Sequence, residues 1–308
     1  MSTALISHKT CLDHVAPYGH PECEERLHVI LAALGEPQFD HLCRLEAQKA
    51  TIEQLELVHS REHIDHVFNS IPDYDHSYLD NDTFLSPGSK EAALYAAGAV
   101  CQAIDTIMAG DNKNAFCAIR PPGHHAEPTQ AMGYCLFNSV AIGALYARNK
   151  YFSHRVAIID FDVHHGNGTQ TVVEETKGFF YGSTHQSPLY PGTGQMHDKG
   201  KGVIVNFPLA AGSGSNVFKK AYENRIFPSL IDFKPDLILI SAGFDAHALD
   251  PLAELKLEEE DYYWVTKQLC EIANEQCHGR LVSSLEGGYN LSIIGECAKA
   301  HVLALMNG

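Results

Sequence analysis

Residues 156–168 constrain this chain more than any other stretch. Val156-Ala157-Ile158-Ile159 is an unbroken apolar run, the pattern of a strand buried on both faces of a parallel sheet. It leads directly into Asp160, Asp162 and His164, spaced two residues apart. If the strand continues, period-2 alternation sends all three side chains to one side. Gly166 and Gly168 follow and allow a sharp turn into a helix. Carboxylates and an imidazole at a buried strand end cost free energy unless they are paired or bound to a cation. The segment therefore predicts an α/β fold in which one strand end holds a ligand.

The rest of the chain alternates in the same way. Apolar runs predict strands at 3–6, 115–119, 179–183, 203–206, 237–241 and 281–285. Periodic segments predict helices near 24–34, 89–110, 138–149, 215–232, 258–276 and 291–306. Thr51 opens a capping box with Gln54, and Ser89 stands where it can cap the long Ala-rich helix that ends at Gly110. No repeat, charge block or Ser/Gly linker interrupts the alternation. Residues 1–308 thus read as a single doubly wound domain with a parallel sheet.

Charge and cysteine usage narrow the partners. With 22 basic and 38 acidic residues the net charge is −16, which gives no general attraction to nucleic acid or an anionic membrane. Cationic partners, such as lysine-rich segments or polyamines, fit better. The nine cysteines show no zinc-ribbon spacing, and Cys101, Cys117 and Cys270 fall in apolar periodic stretches. Reduced thiols in the cytoplasm fit that pattern better than a disulfide framework. No apolar run reaches 18 residues, and neither a signal peptide nor a membrane span is expected.

Polar motifs recur just after predicted strands, where doubly wound folds bind ligands. Arg120-Pro-Pro-Gly-His124-His125-Ala follows one strand and the Asp/His set another. Ala242-Gly-Phe-Asp245-Ala-His247 and Glu286-Gly-Gly-Tyr289-Asn follow two more. Asp162, His164 and Asp245 supply two carboxylates and an imidazole, a three-ligand set with an open fourth position, as in catalytic zinc sites. His124 and His125 supply a proton acceptor and a charged neighbour, with Asp160 and Asn167 near enough in sequence to orient them. Tyr289, after a Gly-Gly pair, can donate to a developing oxyanion. Together these groups predict metal-assisted hydrolysis of a carbonyl compound.

Two other patterns carry less. His59-Ser-Arg-Glu-His63 matches an inverted zinc-protease motif, but Ser60 reads as an N-cap that puts His59 outside the helix and off the face of His63. Pro191-Gly-Thr-Gly-Gln195 lacks the phosphate-loop signatures and reads as a turn at the rim of the site. Most remaining histidines, among them His41, His154 and His301, read as surface or satisfied core residues.

The ordered set Arg120-Pro-Pro-Gly-His-His-Ala, Asp160-Phe-Asp-Val-His-His-Gly-Asn-Gly-Thr-Gln, Pro191-Gly-Thr-Gly, Ser241-Ala-Gly-Phe-Asp and Glu286-Gly-Gly-Tyr resembles the zinc-dependent histone deacetylase family. The resemblance runs from His20-Pro21-Glu22 to Tyr289. Asn167 and the string around it resemble class II members and bacterial histone deacetylase-like amidohydrolases. The resemblance implies an arginase/deacetylase-type α/β domain with an eight-stranded parallel sheet flanked by helices. It implies zinc on Asp162, His164 and Asp245, His124 and His125 as the general acid/base pair backed by Asp160 and Asn167, and Tyr289 polarising the carbonyl. It further implies an acyl-lysine tunnel lined by Gly133, Tyr134 and Tyr190, with Asp82 gripping substrate backbone at the rim. A structural potassium ion would use Asp160, Asp162, His164, Ser183 and Thr184.

Departures from the family pattern bear on substrate. Tyr134 and Tyr190 stand where the family more often has Phe. Arginase-type relatives need further metal-binding carboxylates where this chain has Gly166 and His247, so one metal is expected and guanidine hydrolysis is not. Pro21-Glu-Cys-Glu24 resembles a signature of acetylpolyamine amidohydrolases, whose tunnel is narrowed by an inserted helical turn. Those enzymes also place a glutamate where this chain has Leu252, and leucine cannot pair with a desolvated ammonium. Acylated lysine is therefore the expected substrate and acetylated polyamines the alternative. A non-catalytic acyl-lysine binder fits less well, because inactive-looking relatives lose the tyrosine that Tyr289 supplies here.

Overall fold

The computed structural model describes residues 2–308. Ten strands occur in chain order: β1 (Ser2–Ser7), β2 (Cys43–Glu46), β3 (Ser77–Tyr78), β4 (Phe84–Leu85), β5 (Asn112–Cys117), β6 (Val156–Asp160), β7 (Phe179–Gln186), β8 (Val203–Leu209), β9 (Leu237–Ala242) and β10 (Leu281–Leu285). Eight of them form one sheet in the order β2-β1-β5-β10-β9-β6-β7-β8. Every pairing in it is parallel, as expected for an α/β protein with a parallel sheet. β3 and β4 form a separate antiparallel ribbon. Neither this ribbon nor the edge strand β2 was expected, because both are too short to show a period.

The apolar runs explain the centre. Val156, Ala157, Ile158 and Ile159 are fully buried, as are Leu237, Ile238 and Ile240 of the neighbouring β9. Helices flank the sheet, with Ser89–Ala109 against Ser139–Tyr151, and Ile294–Met306 against both Glu25–Ala33 and Glu259–Cys277. The helix Ser89–Ala109 is long and apolar enough to cross a bilayer by length and composition, with a mean hydropathy of 1.4 over its best window. Two thirds of that window is buried within the fold, however, and the helix packs against β1 and β5 as a core element.

Local signals resolve in detail. Thr51 and Gln54 make both bonds of the capping box, and Gly110 closes its helix in the left-handed conformation at φ 82°. Ser89 does not cap the helix, because Gly88 occupies that position. The Ser89 hydroxyl instead accepts from the Ser86 amide and contacts His14 Nδ1. Asn138 caps the helix Ser139–Tyr151 by accepting from the Ala141 amide.

The sheet order positions the site. β5, β10, β9 and β6 are consecutive neighbours although 163 residues separate Gly123 from Glu286 along the chain. Their carboxyl ends emit all four polar motifs side by side. Below them, Glu22 binds Arg26 at 2.8 Å and Arg120 at 2.5 and 2.7 Å, all three fully buried. Burial opposes the Glu22 charge, but the two guanidinium groups outweigh it and bring its pKa down to about 2. Arg26 also donates to the carbonyls of Glu286 and Gly288, at 2.6 and 2.5 Å, and so clamps the chain leading to Tyr289.

Candidate active site

β6 ends at Asp160 rather than continuing to His164. Asp160, Asp162 and His164 are brought together by a bend instead of by strand alternation. The Asp162 amide donates to Asp160 Oδ1 at 3.2 Å and the His164 amide to Asp162 Oδ1 at 2.9 Å. Asp245, arriving after β9, accepts from the Val163 amide at 2.8 Å. His164 Nδ1 then lies 3.1 Å from both Asp162 Oδ1 and Asp245 Oδ2.

This trio fits a divalent cation. Each residue offers one ligand atom, those atoms all lie within 4.8 Å of one another, and all three residues are buried. Among protein groups alone the arrangement is electrostatically poor, since burial and then the neighbouring Asp162 push the Asp245 carboxyl up to about 7. Gly243 and Gly287 carry no side chain where a Cβ would collide with the Asp162 and Asp245 carboxylates. Two glycines thus leave room for the donor set at the place where it converges.

The histidine pair stands beside it, with ring centroids 4.0 Å apart. His124 Nδ1 donates to Asp160 Oδ2 at 3.1 Å, and His125 Nδ1 to Asn167 Oδ1 at 2.8 Å. Burial alone lowers the basicity of His124, but Asp162 and Asp160 outweigh it and raise its pKa to about 10. His125 is held well below its usual value by burial and by the charges of His124 and His164. The two rings are therefore unlike: one is a cation between carboxylates, the other a neutral imidazole held by an amide.

A cavity of about 220 Å³ opens onto the site. It is lined by Asp82, His125, Gly133, Tyr134, His164, Leu189, Tyr190, Leu252 and Tyr289. His124 is not among them. Gly133 has φ +56°, and a Cβ there would meet His125 and Tyr190, so a side chain would be strained and would close the passage. Ser183 and Thr184 are buried on β7, with Asp160 in register opposite Ser183. Their hydroxyls contact His185 Nδ1 at 2.9 Å and the Tyr222 hydroxyl at 3.5 Å.

Several site neighbours carry no sequence signal of their role. Glu286 accepts from the amides of Gly123 and His124 at 2.7 and 3.1 Å and so fixes the histidine loop. The Tyr181 hydroxyl donates to Asp160 Oδ2 at 3.0 Å, and the Arg26 guanidinium stacks 4.9 Å from the Tyr289 ring centre. Asp250 accepts from the Tyr289 amide at 2.7 Å. Glu286 lies inside a motif that drew notice, and there its glycines and tyrosine took precedence.

The remaining patterns are structural. Ser60 caps the helix Arg61–Asn69 as expected, yet the His59 and His63 rings lie 5.1 Å apart, contrary to the expectation that they face away from each other. The backbone takes up three of their nitrogens: His59 bonds the Glu127 carbonyl and the Asn138 amide, and His63 Nε2 the Leu136 carbonyl. A second grouping of potential donors joins buried His247 to Glu258 and Glu259 at 3.8 and 3.6 Å. Both of its carboxylates are substantially exposed, at 61% and 35%.

Comparison with known proteins agrees with this geometry. Residues 20–305 match the sequence profile of the histone deacetylase domain. Histone deacetylase 14, chloroplastic, of Arabidopsis thaliana is 39% identical over 93% of this chain and 73% of its own length. The histone deacetylase-like amidohydrolase of Pseudomonas aeruginosa is 36% identical over 92% of this chain and 76% of its own. Type-2 histone deacetylase 2 of Dictyostelium discoideum is 36% identical over 99% of this chain, which spans 21% of that protein's length. The crystal structure of the HDA15 HD domain superposes with a TM-score of 0.93 at 35% identity, covering 99% of this chain and 88% of that one. Motifs that converge at the carboxyl ends of four central strands, and a profile match spanning nearly the whole chain, lead to one conclusion: the chain belongs to the histone deacetylase domain family.

Proposed function

We propose that the protein is a zinc-dependent amidohydrolase that removes acetyl or longer acyl groups from lysine side chains. The observation that carries this reading is the narrow cavity, which has His125, His164 and Tyr289 in its wall and aromatic rings along its length. A divalent cation on Asp162, His164 and Asp245 would supply Lewis-acid polarisation of the carbonyl and would acidify a water.

The chain's own residues do the rest. Donation from His125 Nδ1 to Asn167 leaves Nε2 as the nitrogen free to take a proton and later return it to the leaving amine. His124, charged and tied to Asp160, stays in place as a fixed positive neighbour. Tyr289 donates its hydroxyl to the oxyanion, with its backbone held by Asp250 and by the Arg26 clamp. Gly133, Tyr134 and Tyr190 form a passage suited to an extended alkyl chain, and Asp82 lies at the rim, where it can accept from substrate amides. We assign a structural potassium ion to Asp160, Asp162, His164, Ser183 and Thr184, a choice supported by the β6–β7 register. We read residues 1–308 as one catalytic domain. Nine free thiols, seven of them buried, support a place in the reducing cytoplasm.

Acetylated polyamine is the alternative substrate. Against it, Leu252 stands in the cavity wall where those enzymes place a glutamate, and residues 20–24 precede the helix that starts at Glu25 without a helical turn of their own. Turnover of an acetyl-lysine peptide, abolished by a chelator and restored by one equivalent of zinc, is the expected result. A tenfold or greater preference for N8-acetylspermidine would transfer the assignment to polyamines. Binding of the peptide without turnover would reduce the protein to an acyl-lysine reader.

A further inference from the structure

The amide of Asn167 has to point one way for His125 to work. With Oδ1 toward His125 Nδ1, the ring carries its proton on Nδ1 and presents a bare Nε2 to the cavity. With the amide turned over, Nδ2 would face the ring and the proton would sit on Nε2, where the ring could no longer accept one. A carboxylate at this position would pose no such choice, because its two oxygens are equivalent.

What breaks the tie is a neighbour. Asn167 Nδ2 donates to Glu127 Oε1 at 2.6 Å, to the His125 carbonyl at 3.2 Å and to Met132 Sδ at 3.4 Å. The first contact is the shortest and the only one to an ionisable group, and charge-assisted bonds are about twice as strong as neutral ones. Turning the amide over would set Oδ1 against the Glu127 carboxylate and the His125 carbonyl. Glu127 is itself held in register: its amide donates to the Gln130 carbonyl at 2.8 Å, and its carbonyl contacts His59 Nδ1 at 3.0 Å. Glu127 and Asn167 also line a polar cavity of about 360 Å³ with His165 and Gln170. Water in such a space would satisfy either amide orientation and select neither.

We propose that Glu127 is a positioning residue that holds the Asn167 amide so that His125 keeps its proton on Nδ1. The inference rests on the proposed role of His125 in moving protons, but it is tested without activity. In the zinc-loaded full chain, 15N-histidine NMR reads the tautomer directly, with the His125 signals identified by their absence from His125→Ala. The expected result is the Nδ1–H form in the unmodified chain and in Glu127→Gln, whose amide oxygen still accepts. Glu127→Ala should show a mixture of the two forms. An unchanged Nδ1–H form in Glu127→Ala overturns the proposal.

Kinetics supply the second reading. Glu127→Ala should lower kcat about tenfold with KM within twofold, and Glu127→Gln should stay within threefold of the unmodified chain. In an Asn167→Asp background the loss from Glu127→Ala should vanish, because nothing remains to orient and a like charge is removed. A loss of the same size in both backgrounds also overturns the proposal. If the unmodified chain turns over no acyl-lysine substrate, the proposed function falls, and the tautomer measurement still decides the role of Glu127.

Discussion

Two pairs of buried histidines divide this molecule into scaffold and chemistry. His59 and His63 stand 5.1 Å apart and His124 and His125 4.0 Å apart, and every ring is almost fully buried. In the first pair both His59 nitrogens and His63 Nε2 end on backbone groups at Glu127, Asn138 and Leu136. In the second, the Nδ1 atoms are tied back to Asp160 and Asn167, and the His125 ring faces the cavity. An imidazole with both nitrogens bonded inside the fold, as His59 has, is a strut. His125, tied by Nδ1 in the wall of the cavity that His164 and Tyr289 share, has a nitrogen left for a proton. The difference lies in what surrounds the rings, not in their spacing along the chain.

Variants should separate the pairs. His125→Ala is expected to lower kcat about a thousandfold with little change in thermal midpoint, since general acid–base groups contribute about 10²–10⁴. Tyr289→Phe should follow with about a hundredfold loss of kcat and an almost unchanged KM. A loss below tenfold in His125→Ala, measured on an acetyl-lysine peptide, would erase the distinction between strut and catalyst.

His59→Ala should act the other way round. It strands the Asn138 amide and the Glu127 carbonyl and should cost about 2–4 kcal/mol of stability. Its kcat should remain at least tenfold above that of His125→Ala. Denaturant melts and steady-state rates on the same two proteins make the comparison.

The smallest effect is in pH. Burial depresses His59 and His301 to about 3 in the folded protein, against about 6.5 when unfolded. Between those values the unfolded form of each group binds more protons, so the stability these two rings contribute is greatest above pH 6.5 and falls as the pH drops toward 3. From pH 7 to pH 6 each of the two should remove about 0.7 kcal/mol. The stability cost of His59→Ala should therefore shrink by about 0.7 kcal/mol between pH 7 and pH 6, and a cost unchanged over that interval would contradict the neutral, bonded state of this ring.

Much of this was legible along the chain because the signals are local. The apolar run 156–159 made a buried strand almost inevitable, Thr51 and Gln54 carried their own cap, and turn glycines announced the loops after β6 and β10. The order of the motifs disclosed the family. Adjacency, by contrast, was decided only by tertiary structure. β10 and β9 lie between β5 and β6, and this order is what brings Asp245 and Tyr289 to His125. The convergence of Asp160, Asp162 and His164 likewise comes from a bend held by side-chain-to-backbone bonds, where alternation along a strand was expected. Arg26, Tyr181, Glu286 and Glu127 act through contacts spanning 262, 21, 163 and 40 residues. A sequence determines which groups are present and which local conformations they favour. The partner of a buried charge is chosen by the fold, because only there are the water and the alternative partners removed.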